Sequence, residues 1–174
     1  MSGLDTRVRL AAFGFLDQQV RLHGSEVLPR DLLLAGFDYE GRRVPLLAPQ
    51  GIFKPAILDI PLSITTVPPS DRKVAPYDDH IDEGGLIRYR YRGTDAAHRD
   101  NAGLRAAMTA HLPLIYFHGV VPGRYMASWP VYIVGDDLNS LTFTVAVDDR
   151  QLMQVETYAA GADADARRRY VTRL

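Results

Sequence analysis

Between Leu86 and Arg92 the chain reads LIRYRYR, with Ile87, Tyr89 and Tyr91 alternating with Arg88, Arg90 and Arg92. A period of two separates such sets only in an extended strand, which sends the apolar and aromatic residues to one face and the arginines to the other. The tyrosine side then anchors the strand to a core. Three like charges in a row repel one another, and a polyanion such as a phosphate backbone lying across them relieves that repulsion. The competing reading is a solvated edge strand whose arginines meet carboxylates and discourage edge-to-edge aggregation. A few residues later, adjacent His98 and Arg99 stand in a short loop that opens the predicted helix Asn101 to Ala110, placed to project beyond the strand.

The 174 residues carry no internal repeat and are 47% hydrophobic. That length suits one domain, which buries roughly 70% of its unfolded surface. With no cysteine, disulfides, thiolate zinc sites and a cysteine nucleophile are excluded. The first residues, MSGLDTRVRLAAFGFL, interrupt every apolar run with charge, and no window reaches the length of a membrane span, so the expectation is a cytoplasmic protein with no membrane partner. Net charge is −1, which alone argues against a nucleic-acid binder, but distribution outweighs the sum. Of 20 basic residues only Lys54 and Lys73 are lysines, leaving 18 arginines. The guanidinium fork suits phosphates and guanine edges, although GC-rich coding gives the same bias.

Leu4, Val8, Ala11, Ala12, Phe15, Leu16 and Val20 follow a 3.6 period, predicting an amphipathic helix over residues 4–22. Pro29 reads as a first-turn proline for a short helix, RDLLLAGF, that Gly36 ends. FDYEGRRVPLL reads as a hairpin about Glu40 and Gly41. This order resembles a small winged-helix-like unit, for packing or for DNA contact. In APQGIFKPAIL the prolines are expected to forbid regular pairing, leaving an ordered loop, with Gly51 allowing a close approach and Lys54 reaching a phosphate, before a strand at Ala56 to Leu58. PLSITTV is a further strand, and VPPSDRKVAPYDDHIDEGG a long turn-rich loop. LPLIYFHGVV, WPVYIVGDD and SLTFTVAVDD read as strands, the last two separated by a turn from Gly135 to Ser140, and Leu152 to Tyr158 as a strand or a helix. The prediction is an α+β fold with a curved, mostly antiparallel sheet flanked by helices. Residues 1–160 form a single domain, with 1–55 its helical and hairpin part and 56–160 its sheet core. Residues 161–174 change composition and begin a linker.

Asp78, Asp79, His80, Asp82 and Glu83 crowd possible metal ligands together, yet their spacing matches no EF-hand or HExxH pattern, and a turn capped by its own carboxylates is the simpler reading. No GxSxG and no phosphate-cradling glycine loop is present. The histidines His23, His80, His98, His111 and His118 show no ligand spacing, and His111 and His118 read as structural. No catalytic residue, metal or cofactor is assigned, so the expectation is a binding domain. Arg124, Tyr125, Met126, Ala127, Ser128, Trp129 and Pro130 set a small apolar run beside a cation, read either as an ordinary strand start with Trp129 in the core or as a cavity.

PYDDHIDEGGLIRYRYRGTD, followed by DNAGLRAAM and LPLIYFHGV, resembles the core of SRA-type modified-base readers. More closely, LPRDLLLAGF, VPLLAPQGIFKP, HRDN and PVYIV together resemble the DNA sulfur-binding domain of McrA-like type IV restriction endonucleases. The resemblance runs over nearly the full chain. It implies an SRA/PUA-like sheet, a partner in sulfur-modified (phosphorothioate) double-stranded DNA, and a C-terminal HNH nuclease module to which RRRYVTRL leads. By that resemblance His98 and Arg99 match the family's His-Arg pair, Tyr125, Met126, Ala127 and Pro130 the sulfur pocket, and Arg150 a later arginine. The pocket departs from the family, which has Tyr-Pro where this chain has Met126-Ala127. Lys54, Arg88, Arg90, Arg92 and Arg124 complete the expected DNA contacts. Three alternatives stay open: an SRA-like reader of methylated or hydroxymethylated cytosine using Trp129, Tyr89 or Tyr91, a metal-dependent hydrolase built on Asp78 to Glu83, and a protein-interaction module that binds no nucleic acid.

Overall fold

The computed structural model describes residues 3–67 and 85–147. The acidic cluster at Asp78 to Glu83, Arg150, the element expected at Leu152 to Tyr158 and the linker at 161–174 lie outside the described residues.

The order is α1 (Gly3–His23), β1 (Val27–Pro29), α2 (Arg30–Ala35), β2 (Phe37–Tyr39), β3 (Arg42–Val44), β4 (Ile52–Phe53), β5 (Ser63–Thr66), β6 (Leu86–Arg90), α3 (Arg99–Thr109), β7 (Leu114–Val121), β8 (Arg124–Asp137) and β9 (Thr142–Val147). Seven strands make one curved, open half-barrel of order β4-β5-β7-β8-β9-β6, with β1 also on β8. Among the described strands, only β5 and β7 run parallel. The α+β class and the mostly antiparallel sheet are as predicted. Register shifts between Leu114 and Tyr116 on β7, and between Ile133 and Gly135 on β8, bend the sheet where the ladder slips.

The sheet separates two cores. On β7, Ile115 and Phe117 face a cluster completed by Val8, Ala12 and Leu16 of α1 and by Leu28 and Leu33. Leu114 and Tyr116 face the other, with Leu104 and Ala107 of α3 and Ile87, Tyr89 and Tyr91. Burial on both faces explains the nearly continuous apolar run of LPLIYFHGVV. On β6 and just past its end only one face is buried, and the alternation survives as Ile87, Tyr89 and Tyr91 inside with Arg88, Arg90 and Arg92 exposed.

Several local expectations need correction. Pro29 stands one place before α2, as its N-cap, and also ends β1, a strand the sequence did not announce. Gly36 does end α2: its φ is 69°, and a Cβ there would lie 1.9 Å from the Val44 carbonyl oxygen. The hairpin turns at Glu40 and Gly41, both at positive φ, with Asp38 Oδ1 accepting the Gly41 N–H at 3.0 Å. Ile52 and Phe53 pair with Ile64 and Ser63, because the flanking prolines leave those two backbones intact. Ala56 to Leu58 is a turn closed by the Leu58 N–H on the Pro55 carbonyl, so no strand forms there. The turn expected at Gly135 to Ser140 starts later, since Gly135, Asp136 and Asp137 still pair with Thr144, Phe143 and Thr142.

Of the N-terminal strands, β1 and β4 belong to the seven-stranded sheet, while β2 and β3 pair only with each other as a separate two-stranded sheet. β8 has β9 beside Val131 to Asp137, and β1 takes the corresponding side at Arg124 to Met126. Arg9 binds α1 to the sheet from within. Its side chain is 1% exposed and pairs with Asp5 at 2.6 Å, while its remaining donors reach the carbonyls of Ile60, Pro61 and Pro113 at 2.9 to 3.1 Å. A buried guanidinium is tolerable only when its donors are met in this way. Among the described residues, no helix is long and apolar enough to cross a membrane.

Candidate nucleic-acid interface

Strand β6 supplies the first part of the site. Arg88 and Arg90 stand opposite Thr144 and Thr142 of β9 and are exposed. Asp137 at the end of β8 is held below the usual carboxylate range by hydrogen bonds from the Ser140 hydroxyl and from the Asn139 and Ser140 N–H groups, with Arg88 adding a smaller pull. That carboxylate therefore serves the β8–β9 turn first. β6 ends at Arg90, two residues earlier than the alternation suggested, with one more backbone bond from the Tyr91 N–H to the Leu141 carbonyl, and Arg92 bends toward α3, where its guanidinium pairs with Asp100.

The loop from Arg92 to His98 is tightly tied. Asn101 Oδ1 accepts the Arg92 N–H at 2.8 Å, and Asn101 Nδ2 donates to the carbonyls of Arg92 and Asp95 at 3.0 and 2.9 Å. The Asp95 carbonyl also accepts the His98 N–H, and Asp95 Oδ1 accepts the Ala97 N–H. His98 caps α3, its Nδ1 accepting the Asp100 N–H at 3.1 Å. An accepting Nδ1 carries no proton, so in the neutral ring the proton sits on Nε2, which is a donor. Arg99 opens the helix with its side chain 88% exposed, and Asp100 Oδ1 lies 3.8 Å from its Nε. One carboxylate, Asp100, thus faces two arginines and a histidine at the positive end of a helix dipole.

Beneath this loop, Asp136 of β8 accepts from Arg105 Nε at 2.6 Å and from the Tyr91 hydroxyl. Burial pushes the Asp136 carboxyl up, but the hydrogen bonds from Arg105 and Tyr91 outweigh it and hold the carboxyl below its ordinary value. Burial and the bond to Asp136 raise the Tyr91 phenol. Arg105 also reaches the Ala96 carbonyl, at 3.4 Å, coupling α3 to the loop.

Of the residues anticipated from sequence, Arg92, His98 and Arg99 come together around Asp100, with Arg88 and Arg90 leading up to them on β6. Lys54 is exposed near the β4 edge and donates to the Leu58 carbonyl at 2.9 Å. Strand order places β4 and β6 at opposite edges, yet curvature lets the Tyr89 hydroxyl reach the Thr65 carbonyl at 3.2 Å. At Gly51 a Cβ would lie 2.8 Å from that same hydroxyl, which accounts for the glycine. Arg124 is exposed at the β7–β8 hairpin, opposite Val121 and Pro29. It lies on the part of β8 that β9 does not pair with, away from the register of β6.

Tyr125, Met126 and Ala127 are buried, and successive side chains alternate across the strand. Tyr125 and Ala127 pack into the core beneath α1, while Met126 stands opposite His118 of β7. Trp129 packs partly against the α1 core, and Pro130 is half-buried. Tyr89 and Tyr91 belong to the α3 core, Tyr91 lying 4.6 Å from Phe143 between ring centres. His118 is pushed down to about 4 by burial and is neutral at neutral pH. Among the described residues, no group of three or more His, Asp or Glu is arranged to hold a metal ion.

Sequence reasoning missed Asn101, Arg105 and Asp136, which shape the loop from beneath its surface. The Arg99–Asp100–Asn101 run at a helix start was the one signal for Asn101. No protein-family model matches the chain, and no curated protein and no solved structure matches it.

Proposed function

We propose that this chain binds double-stranded DNA carrying a phosphorothioate linkage, acting as the specificity domain of a type IV restriction endonuclease whose HNH nuclease module lies further along the parent protein. The observation that carries this reading is the His98–Arg99 pair. Arg99 is almost wholly exposed on the first turn of α3, and His98, its Nδ1 engaged by the helix, has Nε2–H as its remaining donor. The resemblance to sulfur-binding domains rests on the same two residues, and the half-barrel sheet is compatible with the SRA/PUA-like architecture that resemblance implies.

The chemistry is consistent with that ligand. A phosphorothioate keeps the charge of a phosphate, while its sulfur is larger, softer and poorly hydrated. A reader must supply cations for the charge and apolar surface for the sulfur. Arg88 and Arg90 act as positioning contacts to the phosphate backbone, with Lys54 and Arg124 as outlying ones, and His98 and Arg99 act at the modified linkage and its neighbouring base edges. Arg150 is assigned with them as the later arginine. The stem of Arg99 offers methylenes as well as charge. All four pocket residues lie on β8, but Tyr125, Met126 and Ala127 are buried and Pro130 is half-buried, so Pro130 is the one with surface to offer the sulfur.

The test is a mobility shift of one short duplex in three forms, unmodified, phosphorothioated at one stereodefined linkage, and cytosine-methylated, at about 0.15 M salt, where non-specific binding is weak. Selective binding of the sulfur form is expected, and Arg99→Ala is expected to remove at least about tenfold of that preference, as when one good reading group is removed. Preference for the methylated duplex, or equal loss of both forms in Arg99→Ala, overturns the assignment.

A further inference from the structure

We infer that Asn101 is the positioning residue of the reading loop, a role that rests on the DNA-reading proposal above and adds to it the residue that fixes the pair's geometry. Asn101 is 0% exposed in a region otherwise facing solvent, so it touches no ligand itself. Its carboxamide does for Arg92 what a neighbouring strand would do, accepting the N–H at 2.8 Å and donating to the carbonyl at 3.0 Å. Past the Tyr91 N–H, which still reaches the Leu141 carbonyl at 2.9 Å, the β6 ladder is thus continued by a side chain. The second Nδ2 proton goes to the Asp95 carbonyl at 2.9 Å, and that same carbonyl takes the His98 N–H at 3.0 Å. One amide therefore holds the start of the loop at Arg92 and, through Asp95, its end at His98.

The chemical requirement is narrow. Aspartate has the size but no donor, and would aim a carboxylate at two carbonyl oxygens. Serine cannot span from Arg92 to Asp95, and glutamine adds a methylene to a site with no exposed surface. Two further interactions brace the same loop, the Arg92–Asp100 pair and Arg105 on the Ala96 carbonyl, but the first lies at the surface and the second is long at 3.4 Å. Asn101 alone among these three is both buried and bonded to two points of the loop. A pair that must meet one linkage in one stereochemistry depends on such support, because small displacements of reading groups erode discrimination before they erode backbone attraction.

The experiment compares wild type, Asn101→Ser and Asn101→Asp for the ratio of affinities toward phosphorothioated and unmodified duplex. A control, Leu16→Ala, weakens the core beneath α1, far from the loop in the fold. All are measured at low temperature with the folded fraction monitored. The expected result is a fall in the ratio of about tenfold or more in Asn101→Ser, with binding to unmodified duplex within about threefold of wild type, while Leu16→Ala keeps the ratio despite its lower Tm. Amide exchange of the wild type supplies a second readout that needs no variant to fold: the Arg92 and His98 N–H groups are expected to be protected far beyond the Gly93 and Thr94 ones. An unchanged ratio in Asn101→Ser, or unprotected Arg92 and His98 amides, overturns the inference while leaving the DNA-reading proposal in place. A wild type with no preference for sulfur overturns both.

Discussion

Arg9 and Arg99 are the same residue type at opposite ends of the exposure scale. Arg9 is 1% exposed, and Asp5 and three carbonyls take up its donors. Arg99 is 88% exposed, and its Nε stands 3.8 Å from the Asp100 carboxylate. Arg105 falls between, 34% exposed and bonded to Asp136. A guanidinium already satisfied by the protein stabilises the fold and has little left for a ligand. One left in solvent contributes little to stability and keeps its fork for a phosphate. The comparison therefore predicts that stability and binding effects run in opposite order along this series.

The largest stability effect is expected at the buried end. Arg9→Ala leaves the Asp5 carboxylate and the carbonyls of Ile60, Pro61 and Pro113 without the guanidinium that they share, which should cost about 3–5 kcal/mol. That corresponds to a fall in Tm of roughly 6–20 °C for a domain of this size. Urea unfolding measures it, and a loss under about 1 kcal/mol would break the comparison, because burial would then say nothing about an arginine's role.

Asp136→Asn probes the middle of the series. It weakens the partner of Arg105 and Tyr91, and a loss of about 2 kcal/mol at neutral pH is expected, as for hydrogen bonds to a charged group. The pH dependence carries a definite sign. The folded carboxyl is held below its unfolded value, so its contribution is present above the unfolded pKa of roughly 3.9 and is lost as pH falls through the folded one. The gap between wild type and Asp136→Asn should stay level from neutral pH to about 4 and close below that, in urea titrations run at each pH. A gap that widened with acid would mean that burial, not Arg105, governs this carboxyl.

Much of this was legible because pattern and environment agreed. The alternation from Ile87 to Tyr91 foretold which side of β6 is buried, and the Leu4 to Val20 stripe foretold α1. Arg9 was missed since charge in a helix is read as surface, although Asp5 and Arg9 sit four apart beside the buried Val8 and Ala12, a spacing that marks a satisfied pair. β1 and β4 were missed because two or three residues carry no periodicity, and their pairing is decided by strands nearly a hundred and about a dozen residues away. That His98 and Arg99 stand side by side at the start of α3 is a local matter, whereas the exposure of Tyr125 to Pro130 depends on two cores that only the folded sheet creates.

The smallest stability effect is expected at Arg88 and Arg90, and there the comparison can be sharpened most. Replacing both by alanine should leave stability within about 0.5 kcal/mol, as for most surface substitutions. Binding should change in a way that counts phosphates. Each phosphate neutralised releases condensed counterions, so the slope of log K against log salt falls by about 0.9 for every phosphate that is no longer neutralised. If both arginines lie on the backbone, the double variant should show a slope shallower by about 2 in fluorescence anisotropy between roughly 50 and 200 mM salt. The ratio of modified to unmodified binding should be preserved, because positioning groups carry no information about the linkage. An unchanged slope with unchanged stability would take the β6 face out of the interface and leave recognition to the α3 loop alone.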